Sequence, residues 1–318
     1  MLRAVLALGL SAAVSSAPAS AQTGPNAFMF VALGDMPYRS EDVIKVDRLI
    51  AAINRLKPAF SIHVGDIKSG GSPCTDVALK TAFDQIGTLE QPVIYSIGDN
   101  EWTDCRKAQE KYEPAERLAK VRALAFSKPG QSLGRTTMQV ESQATVMPKY
   151  ATFVENQRFL KNGVLFIVPH VVGSENGLAN KDGESEFAER NAANIAWIDD
   201  GFRVAVESGA KAVVLAFQAN PFGQDKGSAP IARGFQGTVE AIARGARAFG
   251  KSVLVVQGDN HVLQIEKFKD ASLKPVANVL RLQLFGDDLV HAMRVVVDPD
   301  MPGVFSFLPL IVPENGPF

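Results

Sequence analysis

The segment FMFVALGD, residues 28–35, decides the fold class, because it joins a six-residue apolar run to a glycine and an aspartate. Three more apolar runs end in the same dipeptide, in the segments IHVGD (62–66), YSIGD (95–99) and VVQGD (255–259). Helical patterns lie between these runs along the chain. Such alternation is typical of an α/β domain with buried sheets.

The positions of the apolar runs and helical repeats predict the individual elements. The pair Asn162-Gly163 is typical of a two-residue hairpin turn, and this hairpin is expected to begin a second strand system. Strands are predicted at 28–33, 60–64, 93–97, 153–160, 164–168, 212–217, 253–256, 279–285 and 290–297. Helices are predicted at about 40–56, 113–126, 184–207 and 237–249.

The aspartates that follow the four runs are the main candidates for a functional site. In open α/β sheets ligands bind at the carboxyl ends of the strands, so Asp35, Asp66, Asp99 and Asp259 are expected to converge there. Four neighbouring carboxylates repel one another and must either hold protons or surround a cation, for which a hard divalent ion is the simpler solution. The alternative is that each aspartate only caps the following helix. Gly286-Asp287-Asp288 is interpreted as a hairpin turn.

The order of these motifs resembles the calcineurin-like metallophosphoesterase superfamily over most of the chain. The matching segments are Asp35-Met36-Pro37, Gly65-Asp66, Gly98-Asp99-Asn100-Glu101, Ala219-Asn220-Pro221 and Gly258-Asp259-Asn260-His261. The resemblance implies a four-layer α-β-β-α sandwich of two mixed sheets. It also implies hydrolysis of phosphate esters by water that a metal ion activates.

The resemblance assigns roles to residues, and several of them depart from the family's pattern. It implies metal ligands at Asp35, Asp66, Asp99, Asp259 and His261, and a catalytic position at Asn100, where the family has a proton-donating histidine. Pro37, Ala219 and Asp259 stand where the family has histidine ligands, and Asp99 stands for an asparagine ligand. Gln218 is a possible neutral oxygen donor.

The remaining ligand set is rich in oxygen, which favours one or two ions of Mn²⁺, Mg²⁺ or Ca²⁺ over Zn or Fe. We therefore expect a metal-dependent phosphomonoesterase or phosphodiesterase with a small-molecule phosphoester substrate. The alternative is a non-catalytic relative that acts as a binding or scaffold module. A nucleotide-binding protein is disfavoured, because no glycine-rich phosphate loop follows the first strand. Tyr38, Tyr95 and Trp102 are interpreted as packing residues.

The first 21 residues have the layout of a cleavable secretory signal, with Arg3, an apolar run and the small residues 19–21. Cleavage near Ala21/Gln22 predicts a periplasmic or secreted protein whose domain spans 22–318, with an insertion or lid at about 102–149. In an oxidising compartment Cys74 and Cys105 are expected to form a disulfide, the alternative being two buried thiols.

Composition excludes two classes of partner. The chain of 318 residues carries 33 basic and 34 acidic side chains, so no strong positive charge predicts a nucleic-acid clamp. Beyond the signal, no apolar stretch approaches the roughly 20 residues that a membrane span requires. The oligomeric state stays open.

Overall fold

The computed structural model describes residues 24–180, 183–223 and 230–317, and the strands in these ranges form two mixed sheets. The predicted signal peptide lies outside the described residues. The first sheet consists of β1 (Phe28–Leu33), β2 (Ser61–His63), β3 (Val93–Tyr95), β11 (Ala292–Val297) and β12 (Phe305–Leu310). Their order is β12-β11-β1-β2-β3, with β1, β2 and β3 parallel and the other pairs antiparallel.

The second sheet contains the hairpin that the Asn162-Gly163 turn predicts. Its strands are β4 (Glu141–Ser142), β5 (Gln157–Lys161), β6 (Val164–Val168), β7 (Ala212–Ala216), β8 (Ser252–Gln257), β9 (Gln264–Lys269) and β10 (Pro275–Gln283). Their order is β4-β5-β6-β7-β8-β10-β9. Strands β6, β7, β8 and β10 are parallel to one another. The pairs β4-β5, β5-β6 and β10-β9 are antiparallel.

Helices cover the outer face of each sheet. The helices are α1 (Val43–Leu56), α2 (Asp76–Ile86), α3 (Pro114–Ala125), α4 (Gln143–Val146), α5 (Gly173–Asn176), α6 (Glu184–Glu207) and α7 (Arg233–Phe249). Short 3-10 turns lie at Ser40–Asp42, Thr103–Arg106, Pro148–Tyr150 and Pro313–Asn315. Helices α1, α2 and α3 pack on the first sheet, whereas α6 and α7 pack on the second.

Strand β1 shows how the sequence produces the layers. Side chains alternate across a strand, so Val31 and Leu33 pack under the helices while Phe30 and Ala32 face the second sheet. Between the sheets the Phe30 ring stacks on Phe60 with centroids 5.4 Å apart, and Phe60 meets Phe166 of the second sheet at 5.1 Å. The predicted α-β-β-α sandwich of two mixed sheets is confirmed.

The structure also differs from the sequence-based expectations. Helix α2 and strands β9 and β12 were not predicted. The interpretation of Gly286-Asp287-Asp288 as a hairpin turn is wrong, because the flanking strands β10 and β11 belong to different sheets. This segment instead carries the chain from one sheet to the other.

The expected disulfide between Cys74 and Cys105 is present. It ties the loop before α2 to the 3-10 turn at Thr103–Arg106, and both cysteines are fully buried. The segment 102–149 contains that turn, α3, β4 and α4, and its assignment as an insertion or lid stays a prediction. Within the described ranges, no helix combines the length and the apolar character that crossing a bilayer needs.

Candidate active site

The predicted site residues meet at the carboxyl ends of the central strands. We name Asp35, Asp66, Asp99 and Asp259 the carboxylate cluster; they follow β1, β2, β3 and β8. The backbone N–H of Asp259 donates to Asp35 Oδ1 at 2.9 Å. Both Asp99 and Asp259 place an Oδ1 atom within 3 Å of the point that a Cβ on Gly173 would occupy, at 2.7 and 2.9 Å. The expected convergence is therefore present.

Two of the glycines that precede the aspartates, Gly98 and Gly258, make room for a carboxylate from another strand. A Cβ on Gly98 would lie 2.0 Å from Asp66 Oδ1, and a Cβ on Gly258 would lie 2.1 Å from Asp35 Oδ2. Side-chain carbons do not approach oxygen so closely, so only glycine fits at either position. At residues 98–99 and 258–259 the Gly-Asp dipeptide thus provides both a carboxylate and the space for another one.

The backbone is left-handed at four of the candidate ligands. The φ angle is 56° at Asp35, 57° at Asp66, 79° at Asp259 and 59° at His261. This region disfavours most side chains and is tolerated best by Asn, Asp and His. The turns after these strands therefore select the residue types that also bind cations.

Tyr38 lies at the centre of the site, although sequence analysis gave it only a packing role. Its hydroxyl donates to Asp66 Oδ2 at 2.9 Å and accepts from Asn100 Nδ2 at 2.9 Å. The same oxygen lies 3.2 Å from His261 Nε2. Tyr38 follows Asp35 by three residues in one tight loop, and this proximity in sequence was the available signal.

Ser174 is a second residue that sequence analysis missed. Its Oγ lies 2.8 Å from Asp99 Oδ2 and 3.0 Å from Asp104 Oδ1. A hydroxyl has one proton to donate between these two oxygens, and the charge of Asp104 is already offset by Lys107, whose Nζ donates to Asp104 Oδ2 at 2.6 Å. Ser174 adopts φ 50° and ψ 46°, a left-handed conformation that its sequence did not suggest.

Gln218 also lies in the site, but its oxygen is already engaged. The Oε1 atom accepts from the backbone N–H of Gly173 at 2.6 Å, and Nε2 donates to Asp66 Oδ2 at 3.2 Å. Gln218 thus supports Asp66 as a hydrogen-bond donor rather than presenting a free oxygen. Ala219, where the sequence resemblance implies a histidine, is fully buried.

Burial dominates the electrostatics of the carboxylate cluster. It raises the pKa of Asp66 and of Asp99 well above the ordinary value, and neighbouring carboxylates raise both further. Burial also raises the pKa of Asp259 to about 6. Burial lowers the pKa of His261, but attraction to Asp35, whose Oδ1 lies 3.6 Å from Nε2, leaves it raised overall.

Few cations balance this negative charge. Lys68 is 7% exposed, but its Nζ donates to the backbone carbonyls of Ser69 and Asn100 at 2.7 and 2.8 Å. Asp35 Oδ2 and Glu101 Oε2 are buried and have no hydrogen-bond partner among the described residues. The site therefore carries more buried negative charge than its own side chains neutralise.

The residue types fit a hard divalent cation, because the donors are mainly carboxylate oxygens and two buried oxygens lack partners. Their arrangement fits less well. Over the ranges that the structure describes, no group of three or more His, Cys, Asp and Glu side chains is arranged to hold a metal ion. Tyr38 and Gln218 instead engage Asp66 Oδ2. A bound ion therefore requires these side chains to change their contacts.

Comparisons with known proteins support the fold alone. Neither a family model nor a curated protein sequence matches the chain. Among solved structures, it is similar to a purple acid phosphatase from yellow lupin (Lupinus luteus) seeds, with a TM-score of 0.50 and 8% sequence identity. The likeness covers 91% of this chain and 54% of the lupin chain, so this chain spans about half the length of that protein. The chain has the two-sheet fold of calcineurin-like metallophosphoesterases.

Proposed function

We propose that this chain is an exported, metal-dependent hydrolase of phosphate esters. The observation that carries the proposal is the meeting of four strand-end carboxylates in one buried place that holds too few cations. A divalent ion relieves their repulsion while the carboxylates stay ionised, whereas without an ion some of them must hold protons. The fold is compatible with this chemistry but does not by itself assign it.

In this proposal Asp35, Asp66, Asp99, Asp259 and His261 hold one or two ions of Mn²⁺, Mg²⁺ or Ca²⁺. When bound, the ion supplies a Lewis acid that activates water and offsets charge on the phosphoryl group. Asn100 places its Nδ2 group beside Tyr38 and can donate a hydrogen bond to a phosphoryl oxygen. Its amide cannot transfer a proton to the leaving group, so the reaction favours esters whose alcohol leaves readily.

The test is hydrolysis of aryl phosphate monoesters and diesters with Mn²⁺, Mg²⁺ or Ca²⁺ by the wild type and by Asp66→Asn. We expect Asp66→Asn to lower kcat by about 10²-fold or more, as losing one electrostatic contact at a reacting group does. Asp199→Asn is the matched control, because Asp199 lies on the exposed face of α6 and pairs with Arg244. Equal rates for wild type and Asp66→Asn, or no hydrolysis with any metal, would refute the proposal.

A non-catalytic binding or scaffold module is the second candidate. The hydrogen bonds of Tyr38 to Asp66 and Asn100 favour it, because they satisfy polar groups that a metal would otherwise use. Pro37 and Ala219 also lack the side chains that the family uses as ligands. Calorimetry and the hydrolysis assay together distinguish the two functions. A scaffold binds no divalent cation, or binds one that raises its stability without any turnover of the esters.

A further inference from the structure

A groove beside the candidate active site has no assigned role. It has a volume of about 610 Å³ and lies between α1, α2 and the loops at 37–40 and 67–73. Apolar side chains that contribute to its lining are those of Pro37, Val43, Ile67, Pro73 and Ala82. Cavities of roughly 300–1,000 Å³ hold drug-sized ligands. We name this cavity the α1–α2 groove.

The charged residues along the α1–α2 groove already have partners within the chain. Arg39 pairs with Asp42 at 2.9 Å, and Asp47 accepts from Gln85 Nε2 at 2.8 Å. Asp84 pairs with Lys80 on the same helix. Lys68 donates to two backbone carbonyls, as described above.

An anionic or cationic ligand would have to compete with these partners. An uncharged apolar group needs only the exposed hydrophobic surface, of which Val43, 43% exposed, is a part. The groove therefore suits an uncharged apolar group better than an ion.

The groove and the candidate active site share residues. Tyr38 lines the groove, and its hydroxyl contacts Asp66 and Asn100 in the site. Ile67 and Lys68 also line it, and they directly follow Asp66 in the chain. A ligand in the groove therefore lies next to a phosphoryl group held at the carboxylate cluster.

We infer that the α1–α2 groove binds the apolar alcohol part of the substrate, and that the substrates are aryl phosphoesters. The inference rests on the proposed hydrolase function. The Asn100 amide, which lies beside Tyr38 in the site, does not transfer a proton to a leaving group, and this favours esters whose alcohol leaves readily. A phenol has a pKa of roughly 10 and leaves as an anion more readily than an alkyl alcohol does.

The reaction that this implies is simple to balance. Water forms a P–O bond to phosphorus, and the P–O bond to the phenol breaks. The phenol oxygen leaves with the bonding electron pair as a phenolate, which takes a proton from solvent. The proton lost by the attacking water also passes to solvent.

The test blocks the groove and measures both binding and turnover. Ala78→Trp places an indole in the groove, and Val77→Trp is the matched control, because Val77 is the adjacent residue of α2, is 75% exposed and lies outside the lining. Binding of 2-naphthol is measured by fluorescence titration with EDTA present, so it needs no metal. Turnover is measured with 2-naphthyl phosphate and with acetyl phosphate, a small substrate that also has a good leaving group.

We expect the wild type and Val77→Trp to bind 2-naphthol alike, and Ala78→Trp to bind it at least about tenfold more weakly. We also expect Ala78→Trp to lower the ratio of kcat/KM for 2-naphthyl phosphate to that for acetyl phosphate by about tenfold or more. Absence of 2-naphthol binding by the wild type overturns the inference. So does an unchanged ratio in Ala78→Trp while both esters are hydrolysed, and the hydrolase function then stands. If no variant hydrolyses either ester, the hydrolase function is refuted, and with it the role of the groove in substrate binding. If Ala78→Trp alone then fails to bind 2-naphthol, the groove is an aromatic-binding site without that role.

Discussion

Replacing Asp259 with asparagine isolates the free-energy cost of negative charge in the carboxylate cluster. Asparagine has nearly the same shape, and its oxygen can still accept the hydrogen bond that Asn220 N–H donates to Asp259 Oδ2 at 2.8 Å. The variant therefore removes a charge and retains the packing. In the absence of divalent ions we expect Asp259→Asn to be more stable than the wild type at neutral and higher pH.

The magnitude follows from the pKa of Asp259, which burial raises from an ordinary 3.8 to about 6. That difference corresponds to about 3 kcal/mol of folding free energy, as an order of magnitude. Because the folded-state pKa is raised, the folded protein holds the proton more tightly than the unfolded chain does. The loss of folding free energy caused by the charge of Asp259 is absent below pH 3.8, grows as the pH rises to about 6, and is complete above that value.

The assay is urea unfolding with EDTA between pH 4 and pH 8, followed by tryptophan fluorescence. Asp199→Asn is the control for loss of an exposed charge. With excess Mn²⁺ the wild type should gain about 2.7 kcal/mol at 100 times the dissociation constant, and Asp259→Asn should gain less. A variant that is no more stable than the wild type at pH 8, or whose advantage persists at pH 4, would refute the reasoning.

Two further predictions concern residues outside the carboxylate cluster. Replacing Cys74 and Cys105 together by serine should lower the free energy of unfolding by about 3–4 kcal/mol in urea titrations without reductant, because the bond closes a loop between residues 31 apart; an unchanged midpoint would contradict it. Glu155→Gln should cost about 3–5 kcal/mol at pH 7, because it leaves Arg122 without the carboxylate that it contacts at 2.6 Å and leaves His170 without its carboxylate partner. Arg122 and His170 lower the pKa of Glu155 to about 2 despite its burial. The loss of stability in Glu155→Gln should therefore persist down to about pH 4.5 and fade toward pH 2. A loss of stability that disappears near pH 6 would contradict this role of Glu155.

Local patterns predicted the elements that are buried or strongly periodic. Strands β1 and β6 and helix α6 have the bounds that their apolar runs and repeats indicate. Strand β9 was missed because QIEKFK is mostly exposed at the sheet edge and has no apolar run. Helix α2 was overlooked although it has a readable signal, a Thr75 cap and apolar residues at helical spacing.

The sequence predicted the site residues that belong to a Gly-Asp dipeptide. It did not predict the residues that long-range packing brings to the site. The Gly-Asp repeats located the carboxylates, because the carboxyl ends of β1, β2 and β3 in the first sheet lie beside that of β8 in the second. Ser174 reaches Asp99 and Asp104 across about 70 residues of chain, through a left-handed turn that no local pattern indicates. The incorrect prediction of a hairpin turn at Gly286 also results from long-range packing, because two strands close in sequence lie in different sheets.

The left-handed backbone at Asp35, Asp66, Asp259 and His261 limits how this part of the protein can change over evolution. A β-branched residue at any of these positions would add roughly 1–2 kcal/mol of backbone strain before any chemistry is considered. A substitution that removes one of these carboxylates should therefore introduce asparagine, histidine or glycine rather than valine or threonine. A mutant library restricted to these three replacements and aspartate would explore different ligand chemistries while most of its members still fold.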